Sequence, residues 1–409
     1  MDFNDSPEEA AYRAKAIAWL KANGGDHIAA RPGAPAPNST AFADGARRWQ
    51  AQKAAAGFAC ITLDARWGGG GGTPLEAAIF AQEEAKLGID YANIMTVAHG
   101  MAIPTILAVG DEAAKGRFIG PAVRGKHIWC QLFSEPSGGS DLAAAKTKAV
   151  RDGDDWVING QKIWTSGAQF SDYGLLLVRT NPDVPKHKGL TMFIVPMHDP
   201  AIEVRPIHQM NDGREFNEVF FNELRVRDSD RLGAVGAGWN TAIVTLMNER
   251  FTVGRAIGAG PKDYLALARR LPGEKGAALA NPAVRAKVAD AYVALEGLKL
   301  IYSRTMTALS RGKEPGPENS IGKLIAASQM QEIANGGVEI EDQFGVIDDA
   351  ALSPMNSLFQ ESLLLSAGVR IAGGTDEILR NIIAERVLGL PAELRADKNV
   401  PFKELPSGR

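Results

Sequence analysis

The chain changes its hydrophobic period twice, and that layout restricts its fold more than any other feature. Residues 1–128 read as helices, residues 129–238 as short strands, and residues 239–409 as helices again. In the first stretch, Pro7-Glu8-Glu9 opens a helix carrying Ile17, Trp19 and Leu20. Thr73-Pro74-Leu75-Glu76 supplies an N-cap Thr, a Pro at the first helical position and a Glu at the third, which is a capping box. The glycine run at 68–72 ahead of it lacks the Gly-Lys-Ser/Thr ending of a phosphate loop and follows no clear strand, so it reads as a turn. In the middle stretch, residues 156–160, 173–178 and 190–195 are β-rich, and 216–226 is a further alternating strand. Asn159-Gly160 reads as a tight turn between two of these strands. Helices resume from Gly238, with breaks at Pro282-Ala283-Val284 and Glu314-Pro315-Gly316-Pro317. No solenoid repeat is evident. The expectation is a compact β domain set between two helical regions.

Two motifs lie within the β-rich stretch: Ser134-Glu135-Pro136-Ser137-Gly138-Gly139-Ser140-Asp141 and Gly160-Gln161-Lys162-Ile163-Trp164-Thr165-Ser166-Gly167. Pro136, Gly138 and Gly139 break regular structure and let backbone N–H groups approach a ligand closely. Ser134 and Ser140 add hydroxyls that donate or accept. Trp164 offers a flat face for stacking on an aromatic ring, with Ser166 on the same side if the segment is a strand. Taken singly, each motif also reads as a polar turn beside a hairpin with a core Trp.

Together, and in this order, the two motifs resemble the flavin site of the acyl-CoA dehydrogenase family. The likeness extends over nearly the whole chain, including Gly373-Gly374-Thr375-Asp376-Glu377-Ile378 and Asn381-Ile382-Ile383-Ala384-Glu385-Arg386. It implies an α+β multidomain fold: an N-terminal helical domain (1–128), a central β-barrel-like domain (129–238) and a C-terminal four-helix bundle domain (239–409). It also implies FAD as cofactor, an acyl-CoA substrate dehydrogenated between its α and β carbons, and an electron-transfer flavoprotein as electron acceptor. Residue by residue, Gln131, Phe133, Ser134, Gly139 and Ser140 resemble the loop around the flavin ring, and Ser140 also reaches toward substrate. Trp164 resembles the aromatic that covers the flavin. Ser166 replaces the usual Thr near its redox nitrogen and keeps the hydroxyl. Thr375 and Glu377 resemble contacts to the phosphate or adenosine side.

One departure bears on the chemistry. The reaction needs a carboxylate in a dry pocket to take the α-proton, and donors at the thioester oxygen where enolate charge develops. Many members carry that base as a Glu immediately before the Gly-Thr pair, where this chain has Gly373. The backbone N–H of Gly373 remains, and the resemblance implies that this amide donates to the thioester oxygen. Glu249, in Leu246-Met247-Asn248-Glu249-Arg250, matches the position from which other relatives draw their base. At about 100° per residue it falls on one face with Trp239, Ala242, Leu246, Val253 and Ile257, where an idle carboxylate is costly. The alternative is a structural Glu paired with an arginine such as Arg255. Arg250 resembles a substrate contact on the CoA side. Loss of the Glu side chain at 373 enlarges the space beside the reacting carbons, which points to a branched, cyclic or bulky acyl group.

Two family features are absent. Arg269-Arg270-Leu271-Pro272-Gly273 does not match the Arg-x-x-Phe-Gly segment that holds FAD bound mainly to a neighbouring subunit, and Gln343-Phe344-Gly345 is a reduced form of a later glycine motif. The assembly is therefore open between a homotetramer and a mixed tetramer. Two other classes also stay open: a non-catalytic partner subunit, and an oxygen-using flavin enzyme of the same fold. Composition excludes more than it selects. Net charge is −3 with no basic block, which argues against nucleic acid. The apolar runs are too short for a bilayer. The acidic start Met1-Asp2-Phe3-Asn4-Asp5 lacks a signal-peptide pattern, and only Cys60 and Cys130 are present, so a cytoplasmic setting is expected. Cys130 reads as a buried strand residue, and Glu361, a minor rival to Glu249 for the base, reads rather as a surface helix position. The six histidines show no metal-ligand spacing.

Overall fold

The computed structural model describes residues 5–29, 31–89, 91–253, 258–273, 276–310, 316–317 and 320–406, except for the side chains at 92–93, 249–253, 306 and 309–310. Contacts divide it into two units: residues 1–208, 214–249 and 394–409 form one, and 209–213 with 250–393 the other.

The first unit opens with helices α1 (Pro7–Asn23), α2 (Thr40–Ala55) and α3 (Pro74–Lys86). α1 and α3 both begin at capping boxes: Ser6 with Glu9, and Thr73 with Glu76. The glycine run before α3 folds back as a turn, Gly71 and Gly72 donating to Leu63 and Ile61. α4 (Ala92–Val97) passes through one widened π turn at 98–102 into α5 (Ile103–Val109), and α6 (Glu112–Val123) follows. Trp49, Phe58, Phe80 and Leu20 form the core shared by α1–α3.

The sheet comes next: β1 (Trp129–Leu132), β2 (Lys148–Asp152), β3 (Asp155–Lys162), β4 (Tyr173–Arg179), β5 (Leu190–Pro196), β6 (Ile202–Pro206), β7 (Asn217–Arg227) and β8 (Arg231–Leu232). Its order is β6-β7-β3-β2-β4-β5-β8, with β1 paired in parallel to the start of β4. β2 meets only the far end of β4, Lys148 opposite Arg179, so β1 and β2 share one edge of that strand. β4 and β5 are buried on both faces, which explains their unbroken apolar sequence. Leu175, Leu177, Met192 and Ile194 face the helices α5 and α6. Leu176, Val178, Phe193 and Val195 face the other way and pack with Trp156, Ile158, Val219, Phe221 and Leu224 of β3 and β7. The sheet thus curls over a core of its own, the barrel-like form expected.

Asn159-Gly160 is not a turn. β3 runs straight through it, with a register shift against β7 between Ile158 and Gly160. The turn lies earlier, at Gly153-Asp154, between the paired residues Asp152 and Asp155. Gly160 is required because a Cβ there would lie 2.6–2.8 Å from atoms of Thr147. Trp164 and Ser166 likewise lie beyond the end of β3, not on a strand, and Trp164 has φ +59.

Helix α7 (Gly238–Val253) follows the sheet, and its residues from 250 on belong to the second unit. That unit is built from α8 (Pro261–Arg270), α9 (Pro282–Ser310), α10 (Ser320–Glu341), α11 (Leu358–Ile371) and the short α12 (Asp376–Ile382). α8, α9 and α11 all pack on α10, giving the four-helix bundle. Pro282 starts α9 as its first residue and does not merely break the chain. Glu314 and Pro315 lie outside the described residues. Gly336 and Gly337 let α10 approach its neighbours, because a Cβ would meet the Tyr264 hydroxyl at Gly336 and the Phe359 ring at Gly337. Among the described residues, no helix is long and apolar enough to cross a membrane, and no cluster of His, Cys, Asp or Glu is arranged to hold a metal.

Gly337→Ala is expected to destabilise the protein by about 1–3 kcal/mol through overpacking against Phe359. Gly322→Ala on the same helix, where an added Cβ meets nothing, is expected to stabilise it by about 0.5–1 kcal/mol. Denaturant unfolding of the two variants distinguishes close packing from helix propensity.

Candidate flavin and acyl-CoA site

The two sequence motifs are joined by a buried ion pair. Glu135 is 6% exposed and Lys162 is fully buried, and their Oε1 and Nζ atoms are 2.7 Å apart. Lys162 also donates to the Phe133 carbonyl at 3.0 Å. Glu135 accepts the N–H groups of Lys146 (2.6 Å) and Thr147 (2.9 Å) at the start of β2. Burial pushes the Glu135 pKa up, but the Lys162 ammonium and those two N–H groups outweigh it and hold the carboxyl below its usual range. Burial pulls the Lys162 ammonium down against the attraction of Glu135. Every charged atom of the pair is therefore engaged, the condition a buried pair needs to be tolerated.

The backbone completes the connection. Glu135 and Gly138 exchange N–H···O bonds at 3.1 and 2.9 Å, which makes the first loop a tight hairpin. The Ile163 N–H donates to the Ser134 carbonyl at 2.9 Å, tying the start of the second loop to the first. The second loop is bound in turn to the start of β7: Thr165 and Asn217 exchange backbone bonds at 3.0 and 3.1 Å, and Asn217 Nδ2 also reaches the Thr165 carbonyl.

On this frame Ser140, Gly139 and Ser166 are exposed, Ser134 is half-buried, and Trp164 is 56% exposed with its ring edge-on to Phe216 at 6.1 Å. A large aromatic held outward in the left-handed region carries backbone strain. Gln131 Nε2 and Thr165 Oγ1 are buried without a hydrogen-bond partner among the described residues. A flat exposed ring, hydroxyls from both loops, and orphaned polar atoms from β1 and the second loop suit a polar aromatic ligand such as the flavin of FAD. Phe133 is different, since its side chain lies in the core against the helices and only its backbone faces the pair. Cys130 is fully buried in β1, and burial pushes its thiol up to about 12, so it is no nucleophile.

The second unit holds the other predicted residues. Gly373 (φ +61) and Gly374 (φ +96) turn the chain from α11 into α12, a backbone path that disfavours a side chain at 373. Buried Lys323 donates to the carbonyls of Gly374 (2.8 Å) and Arg370 (3.0 Å), and Arg370 clamps the buried Asp376. The Thr375 hydroxyl caps α12 by accepting from Ile378 N–H, and Glu377 is exposed beside Arg380. Glu361 is exposed on α11, as expected. The Arg269–Gly273 stretch ends α8 and enters a short hairpin in which Ala278 N–H bonds Leu271.

Glu249 and Arg250 lie on α7, but their side chains are outside the described residues, as are Arg255 and Ile257 altogether. The helix before them is firmly seated. Ala242 is fully buried, with Trp239 and Leu246 packed on the same core. Buried Thr245 meets buried Thr105 of α5 hydroxyl to hydroxyl at 2.9 Å. Position 249 is the next turn after Thr245 and Leu246.

Three family models cover the chain in order: the acyl-CoA dehydrogenase N-terminal domain over residues 10–126, middle domain over 130–224 and C-terminal domain over 236–388. Acyl-CoA dehydrogenase IpdE1 of Mycobacterium tuberculosis is 34% identical over 391 residues, covering 94% of this chain and 98% of that protein. The chain belongs to the acyl-CoA dehydrogenase family. It is therefore an oxidoreductase acting on acyl-CoA, with FAD as cofactor. FadE34 of the same organism, an acyl-CoA dehydrogenase, is 36% identical over 325 residues, although this chain spans only 43% of its length. Among solved structures, the ChsE4-ChsE5 complex from M. tuberculosis is 25% identical with a TM-score of 0.76, covering 96% of this chain and 100% of that one. A steroid acyl-CoA dehydrogenase, Tcur3481-Tcur3483, shares the fold at a TM-score of 0.78 and 24% identity, over 96% and 100% of the two chains.

Sequence reasoning missed Glu135 and Lys162 as a pair, although both lie inside the quoted motifs. The available signal was an acid in a Ser/Gly turn and a base ending an apolar strand. Lys162→Met is expected to cost about 3–5 kcal/mol, because it leaves Glu135 buried and unpaired. Adding Glu135→Gln to that variant is expected to recover part of the loss in urea unfolding. The sign with pH follows from the depressed Glu135 pKa. Its contribution is present above the unfolded value of about 4.3 and is lost as pH falls through the folded value. In Lys162→Met, acid should therefore weaken the fold less than in the wild type.

Proposed function

We propose that this chain catalyses FAD-dependent formation of the 2,3-double bond in an acyl-CoA thioester whose acyl group is branched, cyclic or bulky, with Glu249 as the base. The supporting observation is the glycine at 373, held at φ +61 where a Glu side chain would be strained. The base must then come from elsewhere, and α7 brings a carboxylate-bearing position one turn beyond the buried Thr105–Thr245 contact.

In this reading the Glu249 carboxylate takes the α-proton of the thioester. The Gly373 backbone N–H donates to the thioester oxygen as negative charge develops there. Arg250 contacts the CoA side. Gln131, Ser134, Gly139, Ser140, Trp164 and Ser166 seat the flavin ring, and Thr375 and Glu377 lie toward its phosphate or adenosine end. FAD, when bound, supplies the acceptor for the β-hydrogen as hydride. Electrons then leave to an electron-transfer flavoprotein, in the cytoplasm.

A second reading concerns assembly. The Arg269–Gly273 stretch lacks the arginine motif that serves a neighbour's FAD, and the related ChsE4-ChsE5 structure is a complex of two different chains. A mixed tetramer, with this chain supporting a partner's flavin site, is the alternative to a homotetramer that completes its own.

Glu249→Gln is expected to retain flavin and ligand binding while anaerobic flavin reduction by acyl-CoA slows by about 10²–10⁴-fold. Wild-type reduction rates in that variant would remove Glu249 from the mechanism. If the folded wild-type chain takes up FAD only after a partner subunit is added, the mixed assembly is the correct reading.

A further inference from the structure

The last residues of the chain do not stay with the bundle that precedes them. Among the described residues, segment 394–406 belongs to the unit containing the sheet, and its part around 401–403 lies along the 181–188 loop between β4 and β5. Phe402 N–H donates to the Val184 carbonyl at 2.9 Å, Lys403 N–H to the Pro182 carbonyl at 3.0 Å, and Pro401 bridges to Pro185. Lys403 pairs with Asp183 at 2.8 Å.

Two buried cations connect this segment to the first motif. Lys186 is 4% exposed, and its Nζ lies 2.7 Å from Asp141 Oδ2 and 2.7 Å from Asp397 Oδ2. Asp141 ends the Ser-Glu-Pro-Ser-Gly-Gly-Ser-Asp loop, and Asp397 is in the terminal segment. Hydrogen bonding from Lys186, then from Arg395, holds the Asp397 carboxyl far below its usual range, so it is charged at working pH. Arg179 donates to the carbonyls of Ala143 (2.5 Å), Ala145 (3.2 Å) and Lys186 (2.6 Å), fixing the backbone that follows Asp141. The buried Phe402 ring covers its guanidinium, with the centroid 3.8 Å from Cζ. The tail thus supplies one of the two carboxylates that compensate Lys186, and the apolar cover over Arg179.

We propose that segment 395–405 is a strap that fixes the Ser134–Asp141 loop for flavin binding, with Asp397, Lys186, Phe402 and Arg179 as positioning residues. The proposal rests on the reading of that loop as part of the flavin seat. Removing the strap leaves Lys186 compensated only by Asp141, whose side chain is half exposed, and opens Arg179 to water. Residues 141–145 then lose their fixed anchor, and the loop before them loses preorganisation.

The test uses the full-length chain as Asp397→Asn, Asp397→Asn/Phe402→Ala and the conservative Asp397→Glu, with Trp164→Ala as a direct probe of the seat. FAD affinity is read by visible titration, and amide exchange at 134–146 in FAD-free protein. The double variant is expected to bind FAD about tenfold more weakly, with faster exchange at 134–146 and protection of β4 and β5 retained. Asp397→Glu should restore part of the affinity. Unchanged exchange at 134–146 overturns the strap, and so does unchanged FAD affinity when Trp164→Ala weakens binding. If neither the strap variants nor Trp164→Ala alters FAD affinity, the flavin reading of the loop falls and the proposal with it. Should the double variant unfold, Asp397→Asn, which keeps size and shape, decides by the same two readouts.

Discussion

The contact between Glu135 and Lys162 holds the candidate flavin seat together. Neither residue would be stable at its depth alone, since an unpaired buried charge is strongly disfavoured. Each gains its partner only when the loop after β1 and the end of β3 come together. The pair thus couples two loops far apart in sequence, and the backbone bond from Ile163 to Ser134 sets their spacing. Exposed residues on both loops, Ser140 and Trp164 among them, sit on a frame set by this buried pair.

The same economy recurs around the sheet. Arg179 and Lys186 are buried cations that donate to backbone carbonyls or pair with carboxylates. In the bundle, buried Lys323 donates to the Gly374 carbonyl, and the part-exposed Arg370 pairs with buried Asp376. Loops that must present ligand-facing groups cannot bury much apolar surface, so ionic anchors paired with carboxylates and backbone carbonyls give them shape. Around the sheet, the apolar strands β4 and β5, covered on both faces, provide the rigid base on which Arg179 and Lys186 are held.

Much of this was legible in the sequence. The helix–strand–helix order, the capping box at Thr73 and the buried strand at Cys130 all follow from period and local chemistry. Asn159-Gly160 misled because its dipeptide signal is that of a turn, whereas the glycine serves close approach to Thr147 within a bulged strand. At Trp164 the condition left open in the sequence resolves against a strand: the strand ends at Lys162 and the chain turns through positive φ. The ion pair and the terminal strap were not legible, because both depend on tertiary partners that no local pattern marks. A lysine such as Lys186 or an acid such as Asp397 looks like an ordinary surface charge until the fold brings its partner to it.

The central claim is that the two paired loops form a single seat for FAD. Amide exchange across the chain, measured with and without added FAD, tests it most directly. The account predicts that FAD protects 134–141 and 163–167 together, since the Glu135–Lys162 pair couples them. Protection confined to other segments, with both loops unaffected by bound flavin, would contradict it.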